Sequence, residues 1–172
     1  MKYKITEKHI IVNGRKLYRI QALKDFSNVE AGEFGGCIEK EVNLSQDGNC
    51  WLHYHAQAYE DAKVYGDAYI GKFGRVYGNA QVYGNAYVGG ILAQVYGNAR
   101  VFGESSIFYT GQVYGNAQVY GNAQVNDHAQ VYGDARVFEE GRLYDHARLY
   151  GNARVFGRTG IIGKAKIKTG NH

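Results

Sequence analysis

The amino-acid sequence predicts an all-β fold, a parallel β-solenoid behind a short N-terminal cap. The composition is unusual, with 24 glycines, 16 tyrosines and no proline among 172 residues, which is typical of one short unit copied many times. From residue 52 onward a unit of the form Val-Tyr-Gly-Asn-Ala-Gln recurs. We therefore expect a non-repetitive cap over residues 1–45 and a repeat solenoid over residues 46–172.

The cap begins with a β-hairpin signal. Residues 9–12 and 15–20 flank the dipeptide Asn13-Gly14, and both turn residues tolerate the positive φ angles of a type I′ turn. Residues 31–49 are interpreted as the connection from this hairpin to the first coil. Because a solenoid needs its ends covered, we expect the hairpin to close one end of it.

The repeat places an apolar, mostly branched residue at every sixth position. The series runs from Leu52 to Val88 and, after one extra residue within 89–92, from Val95 to Ile167. A small residue, usually Ala, lies two positions before each of these. Because side chains alternate along a strand, Ala and Val point to one side while Gln, Arg and Tyr point to the other. Gln and Arg do not fit a narrow core, so the Ala and Val side is predicted to be the interior.

This pattern resembles the hexapeptide-repeat left-handed β-helix superfamily over residues 46–172. The resemblance implies a single-stranded left-handed parallel β-helix, a triangular solenoid with 18 residues per coil and six to seven coils. At about 4.8 Å per coil the prism would be about 32 Å long. Handedness comes from the resemblance alone, and a right-handed or two-sided solenoid is the alternative fold.

The hairpin, the Gly-Gly-x-Ile-Glu-Lys-Glu segment of residues 35–41 and the Tyr-Gly-Asn-Ala units resemble a family of phage and prophage proteins. These proteins are labelled YdcK-like acetyltransferases or polymer-forming cytoskeletal proteins. The resemblance implies a phage or prophage origin for this chain as well.

Every eighteenth residue falls on the same face of such a helix, and two of the three faces carry aromatic ladders. The ladders consist of Tyr59, Tyr77, Tyr96, Tyr114, Tyr132 and Tyr150, and of Tyr65, Tyr83, Phe102, Tyr120, Phe138 and Phe156. Stacked rings stabilise one another and could serve only to hold the coils together. Two such stripes would, however, expose more apolar area than soluble monomers usually do. Hexapeptide proteins characteristically form parallel trimers, so the resemblance implies a homotrimer.

The second ladder is accompanied by basic residues, among them Arg100, Arg136 and Arg154. An aromatic and basic face suits bases and phosphates. The formal net charge of +4 is modest, and Gln81 and Gln118 occupy two of the six flanking positions. Nucleic acid is therefore not the expected partner, whereas a host protein or a small nucleotide-like ligand remains open.

The third face is irregular. In a repeat protein, the residues that depart from the repeat are the first candidates for a functional site. Its outward positions are His53, Gly71, Gly89, Phe108, Asn126, Tyr144 and Ile162, and its corner carries His55, Phe73, Leu92, Thr110, His128, His146 and Lys164. The candidate ligand- or partner-binding residues are Tyr69, Tyr87, Phe108, Asp127, Tyr144, Asp145, Arg100, Arg136 and Arg154.

His128 and His146 are the candidate catalytic residues. They lie eighteen positions apart, so their rings would stack on neighbouring coils, and each follows an aspartate. A His beside a carboxylate could act as a general base, and hexapeptide acyltransferases use a His in this way. The alternative is that His is merely tolerated at a left-handed corner. Two imidazoles without a third ligand do not predict a metal site.

The enzymes of the superfamily usually carry an extended loop that closes over the acyl donor, whereas this sequence has a single-residue slip. We therefore predict a non-catalytic binding or scaffold protein, without a cofactor, whose rigid oligomer binds a host macromolecule or a small signalling ligand. The alternative is a coenzyme-A-dependent acyltransferase that uses acetyl-CoA, with His128 or His146 as base.

The sequence also bears on location. Cys37 and Cys50 have neither the number nor the spacing of a disulfide framework or a zinc site, which fits a reducing cytosol. No signal peptide or membrane-spanning run is recognisable. We therefore expect a cytoplasmic protein that does not contact a membrane.

Overall fold

The structure is a computed structural model that describes all residues from 1 to 172. The chain winds through three sheets in turn, so paired strands are 18 residues apart, as in the parallel pairing of Gln112 with Gln130. The three sheets contain ten, seven and six strands. The predicted all-β parallel solenoid is thereby confirmed.

Each sheet forms one face of the solenoid. The ten-stranded sheet begins with the cap strands β1 (Tyr3–Val12), β2 (Arg15–Ala22) and β3 (Phe34–Ile38) and continues into the tyrosine face, with strands Gln57–Ala58, Arg75–Val76, Gln94–Val95, Gln112–Val113, Gln130–Val131, Arg148–Leu149 and Lys166–Ile167. The basic face has strands Lys63–Val64, Gln81–Val82, Arg100–Val101, Gln118–Val119, Arg136–Val137 and Arg154–Val155. The irregular face has strands Trp51–Leu52, Tyr69–Ile70, Tyr87–Gly89, Ser106–Phe108, Gln124–Val125, Arg142–Leu143 and Gly160–Ile161.

The cap contains the predicted hairpin and one strand that the sequence reading missed. Asn13 and Gly14 have φ angles of 49° and 78°, as a type I′ turn requires. β3 lies in the segment interpreted as a connection, and it pairs antiparallel with β2 and parallel with Gln57–Ala58. A short 3₁₀ turn, Glu41–Asn43, follows it. The cap therefore extends the tyrosine face and is not a separate lid.

The glycines of β3 explain why this strand fits so closely against the first coil. A Cβ atom at Gly35 would lie 2.5 Å from the indole of Trp51, and one at Gly36 would lie 2.4 Å from the carbonyl oxygen of Ala56. Only residues without a side chain allow the cap to approach the coil to this distance.

The interior is formed by the predicted Ala and Val side chains. Every large repeat position from Leu52 to Val155 is buried, and Ile161 and Ile167 in the last coil are partly buried. Ser105 replaces Ala in one unit, and its hydroxyl donates a hydrogen bond to the carbonyl oxygen of Phe102 at 2.8 Å. The polar group is thus satisfied within an apolar core.

Stacked glycines form the two regular corners. Gly78 and Gly97 have φ angles of 71° and 69°, and a Cβ on Gly78 would lie 2.8 Å from the Gly97 nitrogen. Side-chain amides form a second stack beside them, in which Asn79 donates to Asn98 at 3.0 Å and Asn98 donates to Asn116 at 3.1 Å. The regular corners are therefore narrow and polar.

The inserted residue disturbs the register at one place only. Tyr69 pairs with Tyr87, eighteen positions later, whereas Tyr87 pairs with Ser106, nineteen positions later. The backbone N–H groups of Ile91 and Leu92 both donate to the carbonyl oxygen of Tyr109, at 3.1 and 2.8 Å. The predicted shift in register is confirmed, and the side chains of Ile91 and Leu92 are exposed at this point.

Both cysteines are unpaired and buried. None of the helical segments combines the length and the apolar character that crossing a lipid bilayer requires.

Candidate binding surface

The two aromatic ladders stack as predicted. The ring centroids of Tyr96 and Tyr114 are 4.8 Å apart, and those of Tyr83 and Phe102 are 4.9 Å apart. Each ring covers the face of the next, so the ladder rings are half-buried, and Tyr59, which also packs against Leu17 and Cys37 of the cap, is only 4% exposed. Burial, with a smaller contribution from Tyr59, raises the pKa of Tyr77 to about 12. The ladders thus expose less apolar surface than the sequence suggested, and their evident role is to hold the coils together.

The exposed apolar surface of the solenoid lies instead on one corner. We define the irregular corner as residues 53–55, 71–73, 89–92, 108–110, 126–128, 144–146 and 162–164. All exposed large apolar side chains of residues 46–172 belong to it: Tyr54, Phe73, Ile91, Leu92, Phe108, Tyr109 and Ile162. The other two corners lack such side chains because they are built from glycine, asparagine and acidic residues.

The apolar part of the irregular corner contains a groove of about 530 Å³. Phe73, Ile91 and Leu92 supply its apolar lining, and Lys72 and Arg75 supply its only charged groups. The Nζ atom of Lys72 lies 5.3 Å from the centroid of the Phe73 ring. The groove is therefore apolar with a basic rim.

The candidate residues Tyr69, Tyr87 and Phe108 form a third aromatic column on the irregular face. The Tyr69 and Tyr87 rings stack at 5.8 Å, and those of Tyr87 and Phe108 lie tilted at 4.7 Å. A Cβ atom on Gly71 would lie 2.4 Å from the Tyr87 hydroxyl. The Tyr87 side chain therefore fills the space above Gly71, and burial raises its pKa.

The two candidate histidines stack on neighbouring coils, as predicted. Their ring centroids are 4.8 Å apart with an interplanar angle of 33°. Nδ1 of His128 lies 2.6 Å from Oγ1 of Thr110, whose hydroxyl donates to the carbonyl oxygen of Asp127 at 2.7 Å. Because that hydroxyl has one proton, it accepts from the Nδ1–H group of His128, which leaves Nε2 unprotonated in the neutral ring. Because Thr110 lies 18 residues before His128, the length of one coil could have identified it as the hydrogen-bond partner of His128.

The aspartates that precede these histidines act on the backbone. Asp127 accepts a hydrogen bond from the N–H of Asp145 at 3.2 Å, and Asp145 accepts one from the N–H of Gly163 at 3.1 Å. Both aspartates have φ of 55°. The suggestion that the histidines occupy left-handed positions is therefore wrong, because the aspartates do. Neither carboxylate forms a hydrogen bond or an ion pair with an imidazole.

The remaining candidates lie elsewhere. Arg100, Arg136 and Arg154 are on the basic face, away from the histidines, and Arg136 pairs in register with Arg154. Tyr144 lines a small cavity of about 260 Å³ together with Glu140, Arg142, Arg158 and Gly160. No group of three or more His, Cys, Asp or Glu side chains is placed to hold a metal ion.

Comparison with known proteins agrees with this architecture. The family model described as the YdcK beta solenoid repeat matches residues 93–107, 129–145 and 147–161. These three segments of the chain are similar to the YdcK-type β-solenoid repeat. A curated protein of Escherichia coli (strain K12), "Uncharacterized acetyltransferase YdcK", is 42% identical over 55 residues, which are 31% of this chain. The match spans 17% of that protein, so the likeness concerns only a part of the relative.

Proposed function

We propose that this chain is a non-catalytic binding or scaffold protein, of phage or prophage type, that recognises a partner protein through the irregular corner. The observation that carries the proposal is the collection of every exposed large apolar side chain of the solenoid on that one corner. Such side chains cost little on a monomer singly, but a group of them on one corner is typical of an interaction surface.

The chemistry of the groove defines the partner. Phe73, Ile91 and Leu92 offer apolar contacts, while Lys72 and Arg75 give the rim a positive charge. A complementary segment carries apolar side chains with acidic residues beside them. For a phage- or prophage-encoded chain the partner would be a host macromolecule. Two buried, unpaired thiols fit a cytoplasmic location, and recovery of the chain from the periplasmic or membrane fraction would contradict that location.

The proposal is tested by peptide display on the purified protein. Selection against the wild type should enrich acidic, apolar peptides. Their binding should be lost in the double variant Phe73→Asn/Leu92→Asn, which introduces the residue that the regular corners use. The matched control is Asn98→Ser/Asn116→Ser on another corner, which should bind the peptides like the wild type. Enrichment of peptides that bind both variants equally, or no enrichment at all, would refute the proposal.

We also propose that the protein is a parallel homotrimer. Hexapeptide-repeat proteins characteristically assemble in this way, and the half-buried ladders leave flat faces on which sister chains could pack. Sedimentation equilibrium at micromolar concentration should give the mass of a trimer. A purely monomeric species would contradict this assembly.

A coenzyme-A-dependent acyltransferase is the second candidate function. It is supported by the name of the E. coli relative, which calls that protein an acetyltransferase. It is also supported by His128, whose Nδ1 is held by Thr110 while Nε2 is free to accept a proton. If this function is correct, acetyl-CoA should raise the Tm of the wild type. The shift should disappear in His128→Ala and persist in His55→Ala, which removes another histidine of the same corner. Absence of any shift with acetyl-CoA would favour the binding function.

A further inference from the structure

Charge is distributed very unevenly along the solenoid. Residues 1–135 contain twelve Lys or Arg and thirteen Asp or Glu, whereas residues 136–172 contain eight and three. The formal net charge of +4 therefore comes entirely from the last coils. The modest charge of the whole chain hides a strongly basic end.

Five of the eight cations of this basic end lie at one repeat position, the first residue of a strand. The residue that opens each strand is Gln in the middle coils of the tyrosine face, as at Gln112 and Gln130, and becomes Arg148 and then Lys166. On the basic face, Gln118 is followed by Arg136 and Arg154. Gln in register with Gln, as in the middle coils, carries no electrostatic penalty.

The substituted residues lie next to one another with like charge. Arg136 pairs in register with Arg154, and Arg148 with Lys166. Like charges directly opposite on neighbouring strands are destabilising. The four salt bridges of the protein include none of these residues, and the single one in this region joins Arg158 to Glu140. These like-charged pairs therefore destabilise the fold, and no acidic side chain of the protein forms a salt bridge with them.

From this arrangement we infer that the C-terminal coils bind single-stranded nucleic acid. Each in-register pair of cations can flank one phosphate, and phosphate contacts supply most of the affinity of non-specific nucleic-acid binding. The half-buried rings of Phe138, Tyr150 and Phe156 lie in the same coils, and their exposed edges offer apolar contacts to unstacked bases.

The placement of the cations favours a flexible strand over a membrane. Arg142 is on the irregular face, Arg148 on the tyrosine face and Arg154 on the basic face, and all three side chains are exposed. A planar bilayer can contact only one face of the prism, whereas a single strand can follow the cations around it. The inference uses neither the irregular corner nor the proposed protein partner, and it requires that the C-terminal ends of the tyrosine and basic faces stay open to solvent in the proposed trimer.

The experiment measures the fluorescence anisotropy of labelled dT20 and U20 with the full chain at a series of salt concentrations from 50 to 200 mM. The test variant carries Arg136→Gln, Arg142→Gln, Arg148→Gln and Arg154→Gln, which restore the residue of the middle coils and should leave the fold intact. The control carries Lys4→Gln, Lys16→Gln, Lys24→Gln and Lys63→Gln, the same loss of charge at the other end.

The wild type and the control should bind both oligonucleotides. The test variant should bind at least about tenfold more weakly at 50 mM salt, and its slope of log affinity against log salt should be shallower by about 3, as four lost phosphate contacts predict. No binding by the wild type, or equal losses in the two variants, would overturn the inference. So would preferential binding to phosphatidylglycerol vesicles, or equally effective competition by polyglutamate, because these results would indicate a membrane or an acidic protein instead.

Discussion

The carboxylate of Glu139 accepts a hydrogen bond of 2.9 Å from the backbone N–H of Gly157, the residue at the same corner one coil later. Glu60 makes the equivalent bond to Gly78 at 2.8 Å. Both glutamates occupy glycine positions with positive φ, 56° and 60°. Each carboxylate thus accepts a hydrogen bond from a backbone N–H group that would be left to solvent if the residue were glycine. The free energy of this hydrogen bond offsets the strain of a residue with a side chain in the left-handed conformation.

Substitution of Glu139 should separate these two effects. A left-handed residue other than glycine costs about 1–2 kcal/mol, and a hydrogen bond to a charged group contributes a similar amount. Glu139→Ala keeps the strain and loses the bond, so the free energy of unfolding should fall by about 1–2 kcal/mol. Glu139→Gly loses both and should remain within about 1 kcal/mol of the wild type. Urea denaturation measures the difference, and equal stability of the two variants would disprove this account.

Gly71 should be coupled energetically to Tyr87. A methyl group at Gly71 would lie 2.4 Å from the Tyr87 hydroxyl, so Gly71→Ala must displace the ring and should cost about 1–3 kcal/mol. In the background of Tyr87→Ala the same substitution should cost less, because the space is then free. A double-mutant cycle by thermal denaturation measures the coupling. Additive effects of the two substitutions would show that the ring does not occupy this space.

Lys2 should be a stabilising residue although it carries a buried charge. It is 2% exposed, and its Nζ donates to the carbonyl oxygens of Gly48 and Cys50 at 3.2 and 2.8 Å. Lys2→Met leaves these acceptors unsatisfied and should lower the free energy of unfolding by about 1–3 kcal/mol. The exposed Lys4→Met is the control and should change it by less than about 0.5 kcal/mol. A Lys2→Met variant as stable as the control would contradict the assigned role.

Stability should fall in acid partly through Glu39. Burial alone would raise the pKa of Glu39, but hydrogen bonds from the backbone N–H of Glu60 and from Arg15 hold it below its ordinary value. A depressed pKa contributes stability above the unfolded-state value of about 4.3, and that contribution is lost as the pH falls through the folded-state value. Between pH 5 and pH 2.5 the Tm of the wild type should therefore decline more steeply than that of Glu39→Gln. Glu7→Gln, whose carboxylate forms no ion pair, should decline like the wild type, and parallel curves for wild type and Glu39→Gln would count against this role.

The sequence was sufficient to predict the strands of the repeat but not all strands of the cap. A period of six locates every strand from Trp51 onward, because each unit buries its own Ala and Val in the same way. β3 was missed because its pairing depends on residues twenty positions away and on two glycines that give no periodic signal. The histidine stack followed from the 18-residue coil, whereas the hydrogen bonds of Asp127 to the backbone required coordinates.

The sequence by itself determined the solenoid, its three faces, its ladders and the residues that depart from the repeat, since a short period fixes side-chain direction locally. Only the tertiary structure decided which outward side chains remain exposed. The ladder rings cover one another, whereas Phe73, although it stacks on His55, remains exposed on the irregular corner together with Ile91 and Leu92. The solvent exposure of an outward side chain depends on which residues of the neighbouring coil pack against it. The sequence of a single repeat does not contain that information.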